Sequence, residues 1–151
     1  MNYLLDTNIL LAFLRKSPVA KYVNEQYQVF DGHNSVCLSA VSLGEIGSLA
    51  IQNRWSRERI SLLTKLLHTI PAIDINIDGL ISLYAEIDAF SQNKLPEKAL
   101  PVSARNMGKN DLWIGATAAY TESILITTDK DFDHLHGHFI EVAWIDPTKH
   151  K

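Results

Sequence analysis

The sequence predicts one α/β domain built on a central parallel sheet with helices on both faces. Short aliphatic or β-branched runs alternate with longer segments of helical period, the order that a parallel sheet covered by crossover helices produces. The chain has 151 residues, and a chain of about 150 can bury roughly 70% of its unfolded surface, enough for one core but not two. Residues 112–120 are apolar nearly all round, as a helix enclosed by a sheet and its neighbours should be.

Tyr3-Leu4-Leu5 opens the chain as a buried strand, and residues 8–14 form the helix that follows. Ser17 caps a second helix with Pro18 in its first turn, running through Val19, Tyr22, Val23 and Tyr27. Val36 to Ser39 is a second strand, after which a helix opens near Ser42 and reaches about Gln52. Residues 57–67 place Ile60, Leu63 and Leu67 on one face, and Leu80, Leu83, Tyr84, Ile87 and Phe90 repeat that spacing, so both segments are amphipathic helices. Between them, residues 73–77 alternate apolar and polar side chains like a strand near the sheet edge. Residues 91–110 hold Pro96, Pro101 and Gly108 with few apolar anchors, and a loop of that length in a compact domain usually has a function. Ile124-Leu125-Ile126 is another buried strand, and residues 139–145 a final one.

Composition removes several classes. No apolar run approaches the roughly 20 residues that span a bilayer, and Asp6 and Asn8 interrupt the first stretch where a signal peptide would be apolar, so a soluble, cytoplasmic protein without a membrane partner is expected. The lone Cys37 excludes an internal disulfide, a zinc ribbon and a CxxC redox site. With 14 Lys and Arg against 17 Asp and Glu, net charge −3, no basic stripe is available, so any nucleic-acid contact must be local.

Open α/β sheets bind ligands beyond the carboxyl ends of their strands, and each such end here carries an acid. Asp6 ends the first strand, Glu45 lies beyond the second, Asp111 heads the apolar helix, and Asp129 and Asp131 follow the strand ending Ile126-Thr127-Thr128. Each has a local reading as well. Asp6 could close an Asx turn, Ser42-x-x-Glu45 is a capping box, Asp111 is a possible N-cap, and Asp131 could cap a short turn over residues 132–135. Independent caps, however, need not all fall at strand carboxyl ends. Clustered carboxylates repel one another, and a divalent cation among them offsets that cost. Oxygen ligands without cysteine favour Mg²⁺ or Mn²⁺.

Leu4-Leu5-Asp6-Thr7-Asn8, Ser39-x-x-Ser42-x-x-Glu45, Asn110-Asp111-x-x-Ile114-x-Ala116-x-Ala118 and Ile126-Thr127-Thr128-Asp129-x-Asp131-Phe132 together resemble the ordered motifs of PIN-domain nucleases, in particular VapC-type toxins of bacterial toxin-antitoxin pairs. The resemblance covers nearly the whole chain, 1–151. It implies a metal-dependent endoribonuclease that uses Mg²⁺ or Mn²⁺, acts on RNA such as tRNA or rRNA, is blocked by a cognate antitoxin and forms a homodimer. It implies that Asp6, Glu45, Asp111 and Asp129 are the catalytic, metal-binding acids, with Asp131 the alternative to Asp129, and with Thr7 and Asn8 in support. The different-class alternative is a noncatalytic PIN-like module that binds RNA or protein.

Phosphodiester hydrolysis suits these residue types independently, because metal-held water and a neutralised phosphate need only carboxylate acceptors around the ion. Arg105 and Lys109, just before Asp111, are candidates to meet an RNA phosphate, with loop solubility as the plainer reading. Arg54, Arg57 and Arg59 around Trp55 form a second local basic patch. His134-x-His136-x-His138 would align three imidazoles if extended, although Gly137 argues for a turn. Tyr22, Tyr27, Phe30 and Trp55 exceed what one small sheet readily covers, so an apolar partner surface is expected there. No GxGxxG, P-loop or GxSxG element is present.

Overall fold

The computed structural model describes residues 1–151. β1 (Asn2–Leu5) passes through the single residue Asp6 into α1 (Thr7–Arg15), and α2 (Pro18–Tyr27) follows. β2 (Ser35–Ser39) runs directly into α3 (Ala40–Gln52), then come α4 (Arg57–Leu67), the short β3 (Ala72–Ile73) and α5 (Asp78–Ser91). α6 (Lys109–Tyr120) leads to β4 (Ile124–Thr127), a 3-10 turn at Lys130–Leu135 and β5 (Glu141–Trp144). The strand order is β3-β2-β1-β4-β5, and every pairing is parallel. From β1 the chain winds outward to β2 and β3, then crosses back to the other side of β1 for β4. The order therefore reverses between β1 and β4, and the crevice at such a reversal is where open α/β sheets hold ligands.

The strands sort their side chains to two faces because successive residues point oppositely. Tyr3, Leu5 and Ile126 enter one core with Ile9 and Leu10 of α1, Val23 of α2 and Leu63 of α4. Leu4 and Leu125 enter the other with Leu80, Ile87 and Phe90 of α5 and Ile114 and Ala118 of α6. Helices thus cover both faces. α6 is enclosed as its composition requires, with every position from Leu112 to Ala118 buried except Trp113. Truncating Leu4 or Leu125 to Ala in such a core costs about 2–5 kcal/mol.

Local chemistry sets several boundaries. Ser17 accepts from the Ala20 N–H at 3.4 Å to start α2, and Lys16 in the left-handed region ends α1. Elsewhere the structure departs from the sequence expectations. α3 starts at Ala40 with Ser39, not Ser42, as its cap, and Ser42 is turned inward and wholly buried. The capping-box reading of Glu45 therefore fails. The expected edge strand at 73–77 shrinks to two residues, because the Asp74 carboxylate accepts from Asn76 N–H at 2.9 Å and turns the chain. The 3-10 turn after β4 is capped by Asp129 rather than Asp131, and α6 is preceded by Gly108, which leaves Asp111 inside its first turn instead of at the cap.

The segment between α5 and α6 is also better anchored than its composition suggests. Leu100 and Met107 are buried in the second core, and Lys98 donates to the His138 carbonyl at 2.8 Å while lying over the Phe139 ring. The expected aromatic surface is mostly absorbed into the fold. Tyr22, Tyr27 and Trp55 pack against the first core, leaving Phe30 as the exposed member. Arg59 spends its guanidinium on the Trp55 face, 4.2 Å from the ring centroid.

Candidate active site

Asp6 stands at the reversal point because β1 ends there. Its N–H continues the ladder to the Ile126 carbonyl at 3.0 Å, and its side chain is buried. One carboxylate oxygen accepts from the Thr7 N–H at 2.8 Å and the other from the Thr127 hydroxyl at 2.6 Å. The register places Leu5 beside Ile126, so the next residues, Asp6 and Thr127, meet at the carboxyl edge. Thr127 also accepts from the Asp129 N–H at 2.9 Å, and one hydroxyl thereby links the acid after β1 to the acid after β4. On the other side, Thr7 donates to Glu45 Oε1 at 2.8 Å and lies 2.9 Å from Ser42 Oγ. A hydroxyl has one proton, so with Thr7 donating to Glu45, Ser42 supplies the proton of the second bond.

Asp111, Asp129 and Asp131 each bring a carboxylate oxygen within 4.8 Å of the others. Asp6, Thr7, Asn8, Glu45, Asn110, Asp111 and Asp129 line an open cleft of about 640 Å³. The charges feel one another. Burial, followed by the charges of Asp6, Asp129, Asp131 and Glu45, pushes the half-buried Asp111 carboxyl up to about 7. Burial is also the main cause that raises Asp6 to about 6, with the bonds from Thr127 and Thr7 opposing it and Glu45 and Asp129 reinforcing it. None of these acids has a basic partner, since the molecule's one ion pair is Lys21–Glu25 on α2. Carboxylates that gather without cations and hold protons into the neutral range fit a hard divalent ion, which supplies the missing positive charge.

All four principal acids named from the sequence, Asp6, Glu45, Asp111 and Asp129, reach this one cleft, although they lie on four separate segments. Asp131 sits at its rim in the same three-acid group. Arg105 and Lys109 do not line the cleft, and the Arg105 charge is felt instead by His134. The histidine triplet is dispersed. Gly137 takes φ 78 and turns the chain, His134 Nε2 is bonded to Ser91 Oγ at 2.7 Å inside the protein, and His136 Nδ1 accepts from the Val142 N–H. Thr127 and Ser42 are the site residues that the sequence reading missed. The signal for Thr127 was its place directly after a buried strand; for Ser42 it was a helical spacing of three from both Ser39 and Glu45.

Fold and site define an α/β domain with an unneutralised acidic cleft at its switch point. The chain belongs to the PIN domain family, whose family model matches residues 3–137; nuclease activity is general to that family. No curated protein matches the sequence significantly. Among solved structures, the chain is similar to VapBC2 from Rickettsia felis bound to a promoter DNA fragment, at 22% identity and TM-score 0.74, covering 97% of this chain and 100% of that one. It is similar to VapBC-1 from nontypeable Haemophilus influenzae at 20% identity and TM-score 0.71, over 95% and 98% of the two chains. FitAcB from Neisseria gonorrhoeae is 19% identical with TM-score 0.67, over 98% and 99%. At these identities the likeness concerns the fold.

Proposed function

We propose that this chain is a metal-dependent endoribonuclease that acts as the toxin of a toxin-antitoxin pair. The observation that carries the reading is the convergence of Asp6, Glu45, Asp111 and Asp129 on one cleft with no basic residue paired to any of them. These four, with Asp131 at the rim, would hold Mg²⁺ or Mn²⁺. Such an ion, when bound, makes a water nucleophilic near neutral pH and neutralises charge on the scissile phosphate. The protein's own share is positioning. Thr127 orients Asp6 and the turn carrying Asp129, while Thr7, backed by Ser42, orients Glu45. Asn8, exposed on the cleft wall, adds a polar contact without adding repulsion. The solved structures of similar fold, VapBC2 and VapBC-1 among them, support an antitoxin partner, and a homodimer belongs to the same reading.

Purified protein should cleave RNA with Mg²⁺ or Mn²⁺ and cease on chelation. Asp6→Asn, Glu45→Gln and Asp111→Asn should each nearly abolish cleavage while remaining folded. Expression alone should slow bacterial growth, and a small protein encoded beside the gene should restore it and bind Asp111→Asn equally. If wild type leaves RNA intact with Mn²⁺ and is harmless without its neighbour, a noncatalytic interaction module replaces this reading.

A further inference from the structure

Of the three tryptophans, Trp55 and Trp113 pack against the two cores and Trp144 packs against neither. Trp144 is the last residue of β5, in register with Thr127, whose hydroxyl reaches Asp6. Neighbouring strands lie about 4.8 Å apart, so this tryptophan stands one strand spacing from the residue that anchors the acidic centre. Its polar end is fixed, with Nε1–H donating to the Thr128 carbonyl at 3.0 Å. Lys130 Nζ lies over the indole, 4.6 Å from its centroid, and forms no salt bridge, although the Asp146 carboxylate feels its charge. The lysine is exposed and Trp144 is half-buried.

A cleft crowded with carboxylates repels a phosphodiester strand, so the strand must be held by groups beside it. Single-stranded nucleic acid is held by two things together, an aromatic face for a base and a cation for the adjoining phosphate. Trp144 and Lys130 supply both at the carboxyl edge. We propose that they form a nucleotide subsite for single-stranded RNA, with Trp144 stacking one base and Lys130 meeting a neighbouring phosphate. The proposal rests on the ribonuclease reading above. Every base has a π face, so the subsite contributes affinity and placement of the strand rather than a choice of sequence.

The test is binding of a short single-stranded oligoribonucleotide to the full chain in EDTA, which suspends cleavage, with KM and kcat measured separately in Mn²⁺. Trp144→Leu should weaken binding roughly 5- to 150-fold, the equivalent of about 1–3 kcal/mol for one stacked base, and should raise KM with little change in kcat. Trp144→Phe keeps a ring without the indole N–H and should retain most of the affinity. Lys130→Gln should reduce the salt dependence of binding by about 0.7 in slope, the value for one phosphate contact on a single strand. Removing one base from the oligonucleotide should weaken the wild type at a particular position and leave Trp144→Leu unaffected there. If Trp144→Leu binds like wild type while wild type cleaves RNA, the subsite is wrong and the nuclease reading stands. If Trp144→Phe loses as much as Trp144→Leu, the bond to Thr128 carries the effect and the stacking proposal is overturned. If wild type neither binds nor cleaves RNA, both readings fall.

Discussion

Replacing Asp111 by Asn should make the metal-free protein more stable at alkaline pH. Its carboxyl is held up to about 7 and no hydrogen bond to its side chain would be lost. Were the group wholly sheltered, ionising it at pH 8 would cost roughly 4 kcal/mol relative to the unfolded chain. Asp111 is only half-buried, and solvent screening cuts this to about 2 kcal/mol. Loss of a negative charge in the first turn of α6 takes back roughly 0.5 kcal/mol. The net gain of about 1.5 kcal/mol corresponds to a rise in Tm of roughly 3–6 °C for a domain of this size. Because the folded-state value lies above the ordinary 3.8, the stabilising contribution is complete below about pH 3.8 and is lost as pH climbs through 7. The advantage of Asp111→Asn should therefore be largest at pH 8 and vanish near pH 4. His134, lowered to about 4 chiefly by burial and then by the Arg105 charge, has the opposite sign. Its contribution is present above pH 6.5 and fades as pH falls through 4, and it cancels when the two proteins are compared at each pH. Thermal melts in EDTA across this range decide the matter. An advantage equal at pH 4 and pH 8, or none at pH 8, would refute the account of a carboxyl held protonated by burial and by the neighbouring acids.

Further outcomes follow from the same geometry. Mg²⁺ or Mn²⁺ should raise the wild-type Tm, more at pH 8 than at pH 5 because the ligands must be ionised, and less for Asp6→Asn; equal shifts in both proteins would place the ion elsewhere. Thr127→Val removes the donor to Asp6 and the acceptor for the Asp129 N–H, so urea titration should show a loss of about 1–3 kcal/mol. The same change should move the pH at which cleavage sets in to higher values, since Thr127 opposes the rise of the Asp6 carboxyl. Ser91→Ala should destabilise by about 1–3 kcal/mol without altering RNA affinity, because His134 Nδ1 is already buried without a partner and Nε2 would join it.

The strands β1, β2 and β4 are legible because each is a short, mostly apolar run, with Leu4, Leu5, Leu38, Leu125 and Ile126 buried, and the acids beyond them are legible because the sheet carries any residue at a strand end to the same edge. Register is not. Nothing local says that Asp6 lies beside Thr127, 121 residues away; that follows only once β1 is known to pair with β4. Ser39-x-x-Ser42-x-x-Glu45 offers two serines in helical spacing, and the contact of Ser42 with Thr7 selects Ser39 as the cap. The alternation at 73–77 was a true pattern of an exposed edge, but the Asx turn at Asp74 overrode it. Surplus aromatic residues suggested an open surface, yet Tyr27 packs edge-on to Tyr3 and Tyr22 stacks on His150, contacts that counting side chains does not reveal.

The hydroxyl bridge from Thr127 to Asp6 also fixes when a newly made chain acquires its acidic centre. Asp6 leaves the ribosome 121 residues before Thr127, the residue of β4 that seats it. At about 5–20 residues per second, roughly 6–25 s separate the emergence of the two partners. Throughout that interval β1 lacks one of its two neighbours and Asp129 does not exist, while Asp111 arrives only shortly before Thr127. A product of translation interrupted before β4 therefore holds Asp6 with neither its Thr127 donor nor Asp129 beside it, and the acidic centre is assembled only once β4 has been made.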